Sequence, residues 1–438
     1  MNEDELSKAW RKRSLRYVEA MNRFIAQALR EGLEHAGRPP RDARWNLAAP
    51  VLAAVRQANA TGDLAELRRR FPPAHAPFVR LIEDHAECVS SVAILSEGRI
   101  AARIGAPHED GRLVLLEGDT VTPFVGAFAF GRSRDRRVFA FASPRGVTTR
   151  EGWDGPVIAD FAYPTGMEGV PSGYDAELIA GLPVVERLVP FAEGSRVLLA
   201  GRDGIFVLRP EGVDRLLPTA ADFREHFDRL REDNPHEALS MPLDMAHATV
   251  SVDGRLIAAG AQFTPHLVFR DGRPFASIGG LSEYAHHACF SSDDAVLALS
   301  SCHFYNGRTL GVPVSALKPG FASEPYAVNP PLVELERDAR VYAAVHRGHE
   351  FILGDAGGAL RAASNDGDAR WLHVIGGTVA DLDLTPDGKT LAVGTYAGTL
   401  NLLDLDTGEV DPFAIGTATH RERRRWVFWR NEKRPLLW

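Results

Sequence analysis

The sequence is poor in lysine and cysteine and has no long apolar run. Only five of its 50 basic residues are lysine, and this arginine bias, with abundant Ala, Gly and Leu, is typical of a GC-rich bacterial gene. The three cysteines, Cys88, Cys289 and Cys302, include no Cys-x-x-Cys pair, which predicts free thiols in a reducing cytoplasm. No apolar run approaches the roughly 20 residues of a membrane span, and the polar N-terminal segment lacks the apolar region of a secretion signal. The sequence therefore predicts a cytoplasmic protein with no membrane partner.

Common catalytic motifs are also missing from the sequence. It contains no glycine-rich phosphate loop ending in Lys-Ser/Thr, no HExxH and no GxSxG. Ser251–Gly254 has the wrong spacing for the Asp box of sialidase-like propellers and lies in an inner hairpin. No motif indicates catalysis, and we predict no cofactor.

The charge is uneven along the chain. The net charge is −8, yet residues 1–30 carry seven Lys/Arg against four Asp/Glu, and residues 420–438 carry seven against two. An acidic body with basic ends does not have the dominant basic face of a nucleic-acid-binding protein, so no nucleic-acid partner is expected. The basic ends are interpreted as solvated or internally paired charges.

A repeated strand pattern organises most of the chain, and its most regular copy is Val379–Val410. Three short alternating apolar runs are separated there by turn signals, of which Asp387-Gly388 is the strongest because glycine adopts positive φ without a steric cost. Such an antiparallel meander cannot bury both of its faces alone. Six further copies begin near residues 89, 127, 185, 247, 286 and 340.

The spacing of these copies, about 40 to 60 residues, predicts a mainly β fold: a β-propeller of four-stranded antiparallel sheets. Seven copies indicate seven blades, with six or eight left open. The predicted domains are a helical N-terminal region at 1–86, the propeller at 87–417 and a basic, Trp-rich tail at 418–438. The apolar Trp426, Phe428 and Trp438 indicate a tail that packs on the propeller or the helices, the alternative being a partner-binding tail.

The segments TPDGKTLAVGTYAGTLNLLDLDTGE and SVDGRLIAAG resemble blades of the WD-repeat family. The resemblance covers roughly residues 88–415. Leu403-Asp404 stands where that family has Trp-Asp, and Gly376-Gly377 stands where it has Gly-His. The resemblance implies a rigid interaction platform that is usually without catalysis, with blades held here by apolar stacking.

Three long insertions, 152–183, 218–242 and 313–338, interrupt the repeats. The second predicts a helix, with Thr219 and Asp222 at its start and an apolar stripe of Phe223, Phe227 and Leu230. Long loops on one face of a rigid fold commonly carry function. We therefore expect a contact surface on that face that includes the aromatic residues Trp153, Tyr174, Phe223 and Phe227.

Alignment of the first turn of each copy brings a set of polar residues to equivalent positions at the start of the innermost strands: Ser91, Arg187, His247, His287 and Asp381. Converging there, Arg187, His247, His287 and Asp381 could bind an anion or a metal, or transfer protons. The alternative is that they satisfy neighbouring loops or channel water.

The sequence thus predicts a non-catalytic protein-protein interaction scaffold with one or more protein partners, for example as a subunit of a bacterial conflict or defence complex. Its expected contact surface combines the aromatic residues of the insertions with the four channel-mouth residues Arg187, His247, His287 and Asp381. The alternative function is a propeller hydrolase or lyase with a channel-mouth His/Asp site and, in one version, a divalent metal.

Overall fold

Seven β-sheets form a ring in the computed structural model, and a helical region precedes them in the chain. The structure describes residues 2–32, 34–174, 177–233, 240–262, 264–304 and 306–438, with the backbone alone at 230–233. The predicted seven-bladed propeller is confirmed, and so is the helical N-terminal region. No helix in the described ranges has the length and apolar character needed to cross a membrane.

Each blade is an antiparallel meander whose first strand is innermost. The strands of blades 1 to 3 are Val89–Ile94, Ile100–Ile104, Arg112–Glu117, Thr120–Phe124; Ala129–Arg132, Val138–Ser143, Gly146–Glu151, Val157–Phe161; and Arg187–Pro190, Val197–Gly201, Gly204–Arg209, Gly212–Leu217. Those of blades 4 and 5 are His247–Val250, Leu256–Gly260, His266–Arg270, Arg273–Ile278; and Tyr284–Phe290, Val296–His303, Asn306–Pro313, Val333–Glu336. Those of blades 6 and 7 are Val341–Arg347, Glu350–Asp355, Ala359–Ser364, Ala369–Val374; and Val379–Leu384, Thr390–Thr395, Thr399–Asp404, Arg421–Val427.

Three blades carry a fifth strand at the outer edge, which covers backbone groups that an exposed edge would leave unpaired. Phe321–Ser323 adds in parallel to blade 4, whereas Ile415–Gly416 adds antiparallel to blade 6 and Leu436–Leu437 antiparallel to blade 7. The third insertion is therefore not a plain loop, because it supplies the fifth strand of blade 4 and the outermost strand of blade 5.

The ring closes without a strand from the N-terminal region. Blade 7 takes its outermost strand, Arg421–Val427, from the C-terminal tail. The predicted propeller ended at residue 417, which assigned this strand to a separate tail. The difference arises because the chain leaves blade 7 after its third strand, adds Ile415–Gly416 to blade 6, and only then returns to blade 7 as its outermost strand. The Trp-rich tail is part of the last sheet.

The helices are α1 Glu3–Glu31, α2 Ala48–Thr61, α3 Leu67–Arg70, α4 Val79–His85 and, in the second insertion, α5 Ala220–Asp233. Helix α1 begins with a capping box between Asn2 and Glu5 and ends at Gly32, whose φ is 88°. The buried residues of this region form one core with the tail: Leu6, Trp10, Val51, Val55, Phe71, Phe78, Val427, Trp429, Leu436 and Trp438. The helical region is thereby fixed to the blade that closes the ring.

Candidate functional site in the propeller channel

The four polar residues predicted at the channel mouth line one cavity. Arg187 and His247 are the first residues of the innermost strands of blades 3 and 4, and His287 and Asp381 lie further along those of blades 5 and 7. The cavity has a volume of about 630 Å³ and runs along the channel to the turns after the innermost strands. Ser91, the fifth aligned residue, lines an adjoining cavity of about 170 Å³.

An ion pair joins two of these residues across the channel. Arg187 Nη1 donates to Asp381 Oδ1 at 3.1 Å, and blades 3 and 7 lie three steps apart in the ring. Asp381 Oδ2 also accepts the backbone N–H of Val92 in blade 1 at 2.9 Å. Burial raises the pKa of Asp381, while the Arg187 guanidinium lowers it. This carboxylate already has two partners, so its contacts brace the innermost strands.

The channel histidines have lowered pKa values, which favours their neutral form. Burial lowers the pKa of His247 to about 3, against a hydrogen bond to the carbonyl of Met245 that raises it. Burial, followed by the charge of Arg187, lowers the pKa of His287 well below its ordinary value. His247 Nε2 lies 3.0 Å from His266 Nδ1, and His247 Nδ1 lies 3.3 Å from the carbonyl of Met245, so the two rings form a chain of hydrogen bonds. The sequence did not single out His266.

An arginine-rich hairpin of blade 2, which the sequence analysis missed, provides most of the contacts across the channel. Arg132 pairs with Asp383 of blade 7 at 2.5 Å, and Arg134 donates to the carbonyls of Phe290 and Ser291 in blade 5 at 3.1 and 2.6 Å. The signal was present in the printed sequence as the run RSRDRR at a position where other copies have a plain turn.

The third arginine of this hairpin, Arg136, occupies a left-handed turn position. Four blades share a turn in which a Ser or Thr hydroxyl donates to an Asp two residues later, and the next residue has positive φ. That residue is Gly254 in blade 4 and Gly388 in blade 7, whereas Arg136 has φ 67° in blade 2. Its guanidinium donates to Leu384 O at 2.6 Å and Ile94 O at 2.9 Å, which offsets the backbone strain.

Glu186 is a second residue that the sequence analysis missed. It precedes Arg187 and lines the smaller cavity with Asp381. Burial raises the pKa of Glu186 to about 7; Arg187 opposes the shift, and Asp244 and Asp203 add to it. This raised pKa of Glu186 suits a general acid or base near neutral pH.

Three of the four aromatic residues predicted for a contact surface are buried, which corrects that expectation. Trp153 is 4% exposed in the turn between the third and fourth strands of blade 2, where it packs on Phe130 and Phe139. Phe223 and Phe227 are 3% and 0% exposed on α5. Large aromatic rings gain most by burial, and here they fasten loops to the ring.

The fourth aromatic residue, Tyr174, connects the first two insertions. Its ring lies 5.5 Å from that of Phe227, and its hydroxyl donates to Asp228 at 2.8 Å. The helix predicted in the second insertion is confirmed, including the reciprocal contacts of Thr219 and Asp222. The predicted stripe residue Leu230 has a side chain outside the described residues.

The described residues contain no group of three or more His, Cys, Asp or Glu side chains that could hold a metal ion. Cys302 is fully buried and Cys289 lies beside backbone carbonyls, while His303 pairs with Glu283 at 2.5 Å.

A set of aromatic residues lies on the loop-rich face, the face that carries the crossings between blades and the turns between second and third strands. We call it the aromatic group; its members are Tyr284, His303, Phe304, Tyr326, Tyr342 and Tyr396. The rings of His303 and Phe304 are 4.7 Å apart, and those of Tyr342 and Tyr396 are 6.4 Å apart. Phe304 is 61% exposed, Tyr326 62% and Tyr396 42%.

No protein-family model and no curated protein matches the chain. Among solved structures, the chain is similar to the crystal structure of the WD40 beta propeller domain of Doa1, with 11% sequence identity and a TM-score of 0.47. The match covers 74% of this chain and 95% of that one. The seven-bladed architecture rests on the sheets of this chain itself.

Proposed function

We propose that the protein is a non-catalytic interaction scaffold that binds a protein partner through the aromatic group on its loop-rich face. The observation that carries this proposal is the exposure of Phe304 and Tyr326, which are both more than half in solvent. Exposed aromatic side chains are enriched at interface hot spots, because each buries a large area with little loss of side-chain entropy.

The rigidity of the ring supports the same role. Arg187–Asp381 and Arg132–Asp383 join blades across the channel, and Arg134 spans it from blade 2 to blade 5. A surface on such a braced ring is held in its binding geometry before a partner arrives, which lowers the cost of association.

The proposal includes a cytoplasmic location and a place in a bacterial multi-protein complex of the conflict or defence type. The free cysteines and the arginine-rich composition support the location and the bacterial source. The acidic body of the chain argues against nucleic acid as the partner. The complex itself stays a prediction.

A hydrolase or lyase remains the second candidate, and Glu186 is the observation that favours it. Its pKa of about 7 and its place beside the Arg187–Asp381 pair suit a proton-transfer role. Stoichiometric zinc, calcium or manganese in the purified protein would favour this candidate over the scaffold.

Affinity purification from the native host tests the scaffold. The wild-type chain is expected to retain a stoichiometric protein partner, and Phe304→Ala with Tyr326→Ala is expected to reduce its recovery at least about tenfold. The matched control is Val157→Ala with Val410→Ala, two residues that are 53% and 61% exposed outside the aromatic group. Recovery of no partner, or equal recovery with both double variants, would contradict the proposal.

A further inference from the structure

A second open cavity lies between the helical region and blades 6 and 7, away from the aromatic group. It has a volume of about 820 Å³, within the range of small-molecule sites. Residues of α1 and of the segment after α3 form one wall, and the ends of blades 6 and 7 form the other. Seven arginines line this interdomain cleft against three carboxylates.

The base of the interdomain cleft holds a surplus positive charge. Glu422 is paired with both Arg68 and Arg425, with 2.8 Å between Arg425 Nη2 and Glu422 Oε2. These guanidiniums lower the pKa of Glu422 to about 2 against the opposing effect of burial, so the carboxylate stays ionised. One carboxylate for two guanidiniums leaves a net charge of +1 among these three side chains, which are 8%, 12% and 27% exposed. Asp411 of the same lining interacts with Arg68 as a further carboxylate.

The rim of the cleft adds cations without tight acidic partners. Among the described residues, Arg421 has no hydrogen-bond or ion-pair partner for its guanidinium, and Arg423 reaches Asp404 at only 3.6 Å. On the helical side, the half-buried Arg11 guanidinium donates to the carbonyl of Arg69 and stacks over the ring of Phe413 at 4.9 Å. The exposed guanidiniums of Arg421 and Arg423 are available to a planar or tetrahedral oxyanion.

Two neutral histidines complete the polar lining. Burial, with Arg425 as a further cause, lowers the pKa of His75 and of His373 to about 4. His373 is 4% exposed, and its Nδ1 is buried with no hydrogen-bond partner among the described residues. An unpaired polar atom at this depth costs roughly 1 to 3 kcal/mol, a cost that a ligand could remove.

The cleft also has an apolar wall. Tyr17, Val18 and Met21 of α1 face Ile375 and Phe413 across it. A bare inorganic anion would leave this wall unused, whereas a molecule with an apolar or aromatic body would cover it.

We propose that the interdomain cleft binds a small phosphorylated molecule with an aromatic or apolar body, of the size of a mononucleotide. A phosphate monoester carries up to two negative charges, which matches the arginine excess of the cleft and the exposed guanidiniums of Arg421 and Arg423 at its rim. The ligand would contact both α1 and the last blade, and would thus fix the helical region on the ring. This proposal does not depend on the scaffold function.

Isothermal titration of the full chain with AMP, inorganic phosphate and adenosine tests the proposal. AMP is expected to bind more tightly than about 1 mM, and inorganic phosphate and adenosine each at least about tenfold more weakly than AMP. Binding of AMP is expected to weaken as salt is added, because the contact is charged.

The variant Arg421→Gln with Arg423→Gln is expected to weaken AMP binding at least about tenfold. Both side chains are at the surface, so the double variant should keep the fold. A separate variant, Arg11→Gln, tests the contribution of the helical wall to AMP binding. The matched control is Arg145→Gln, an exposed arginine of blade 2 outside the cleft, which should bind AMP like the wild type. Absence of AMP binding at 1 mM would overturn the proposal, as would equal affinity for phosphate or adenosine, or an equal loss in the control.

Discussion

Asp383 of blade 7 and Arg132 of blade 2 form an ion pair at 2.5 Å that spans the junction where the ring closes. The same carboxylate accepts the backbone N–H of Ile94 in blade 1 at 2.5 Å and contacts Arg136. Because the first and last blades share no strand, the contacts that close the ring between them are made by side chains. A single carboxylate thus connects blades 7, 1 and 2.

Replacement of Asp383 by alanine should destabilise the ring strongly. The side chain of Asp383 is 6% exposed, and its loss removes the charged partner of two guanidiniums and the acceptor of the Ile94 backbone N–H. Breaking a buried charge pair from one side costs roughly 3 to 5 kcal/mol. Urea unfolding measures the loss. The control Asp214→Ala removes an exposed carboxylate paired with Arg209 at 3.0 Å, and should cost less than about 1 kcal/mol. Equal losses would contradict a special role for Asp383.

Substitution of Arg136 by glycine sets two effects against each other. Glycine relieves the positive φ of 67°, a gain of about 1 kcal/mol, but removes the bonds to Leu384 O and Ile94 O. Bonds from a charged donor contribute roughly 1.5 to 3 kcal/mol each. We therefore expect a net loss of about 2 kcal/mol in the free energy of unfolding. Asp271→Gly, at an exposed turn with φ 48°, should be neutral or slightly stabilising. If the Arg136→Gly variant were more stable than the wild type, the bonds from Arg136 to Leu384 O and Ile94 O would contribute little to the free energy of unfolding.

The sequence predicted the ring well and its closure poorly. Strand alternation and Asp-Gly turns are local signals, so the innermost hairpins, and with them Arg187, His247, His287 and Asp381, could be placed in one channel. The partner of Asp381 lies 194 positions away, and no local pattern reports such a pairing. The buried Trp153 and Phe227 show the same limit, because an aromatic residue in a loop-like segment looks alike whether it faces a partner or its own core.

The buried histidines should make the protein sensitive to acid. Burial lowers the pKa of His247 to about 3 and that of His286 and His373 to about 4. The unfolded chain takes up these protons below about pH 6.5 while the folded chain does not, so the free energy of unfolding should fall as the pH drops from 6.5 toward 4. Each residue contributes about 1 kcal/mol of this loss near pH 5.5.

Urea midpoints measured between about pH 7.5 and 5 would show this decline. His373→Gln should flatten the profile, since it removes one of the buried histidines with a lowered pKa. A midpoint that stays constant down to pH 5 would contradict the neutral, buried state of these rings.

The titration of Glu186 should change the free energy of unfolding with pH in the direction opposite to that of the histidines. Burial raises its pKa to about 7, so the unfolded chain loses this proton from about pH 4.5 upward while the folded chain keeps it until about pH 7. The free energy of unfolding should thus fall across this range as the pH rises. Glu186→Gln is expected to be more stable than the wild type by up to about 3 kcal/mol above pH 7, and similar near pH 4.

The matched control for this substitution is Glu193→Gln, which removes an exposed carboxylate of the same blade paired with Arg196 at 2.6 Å. This control variant should not be more stable than the wild type above pH 7. A Glu186→Gln variant with no advantage above pH 7 would contradict the raised pKa, and would also remove the observation that favours an enzymatic function.

Trp438 should prove to be a core residue of the last sheet and the helical region. It is 5% exposed, its Nε1 donates to Phe71 O at 2.7 Å, and its ring meets Phe78 edge-on at 5.3 Å. Trp438→Ala opens a large cavity in the core that α1, α2 and the tail share, at a cost of roughly 3 to 5 kcal/mol. Trp45→Ala is the matched control, because Trp45 is 65% exposed on the helical region and its removal should cost less than about 1 kcal/mol. Denaturation followed by circular dichroism separates the two variants. If Trp438→Ala instead unfolded like Trp45→Ala and lost only a bound partner, the tail would be a binding element rather than the strand pair that completes blade 7.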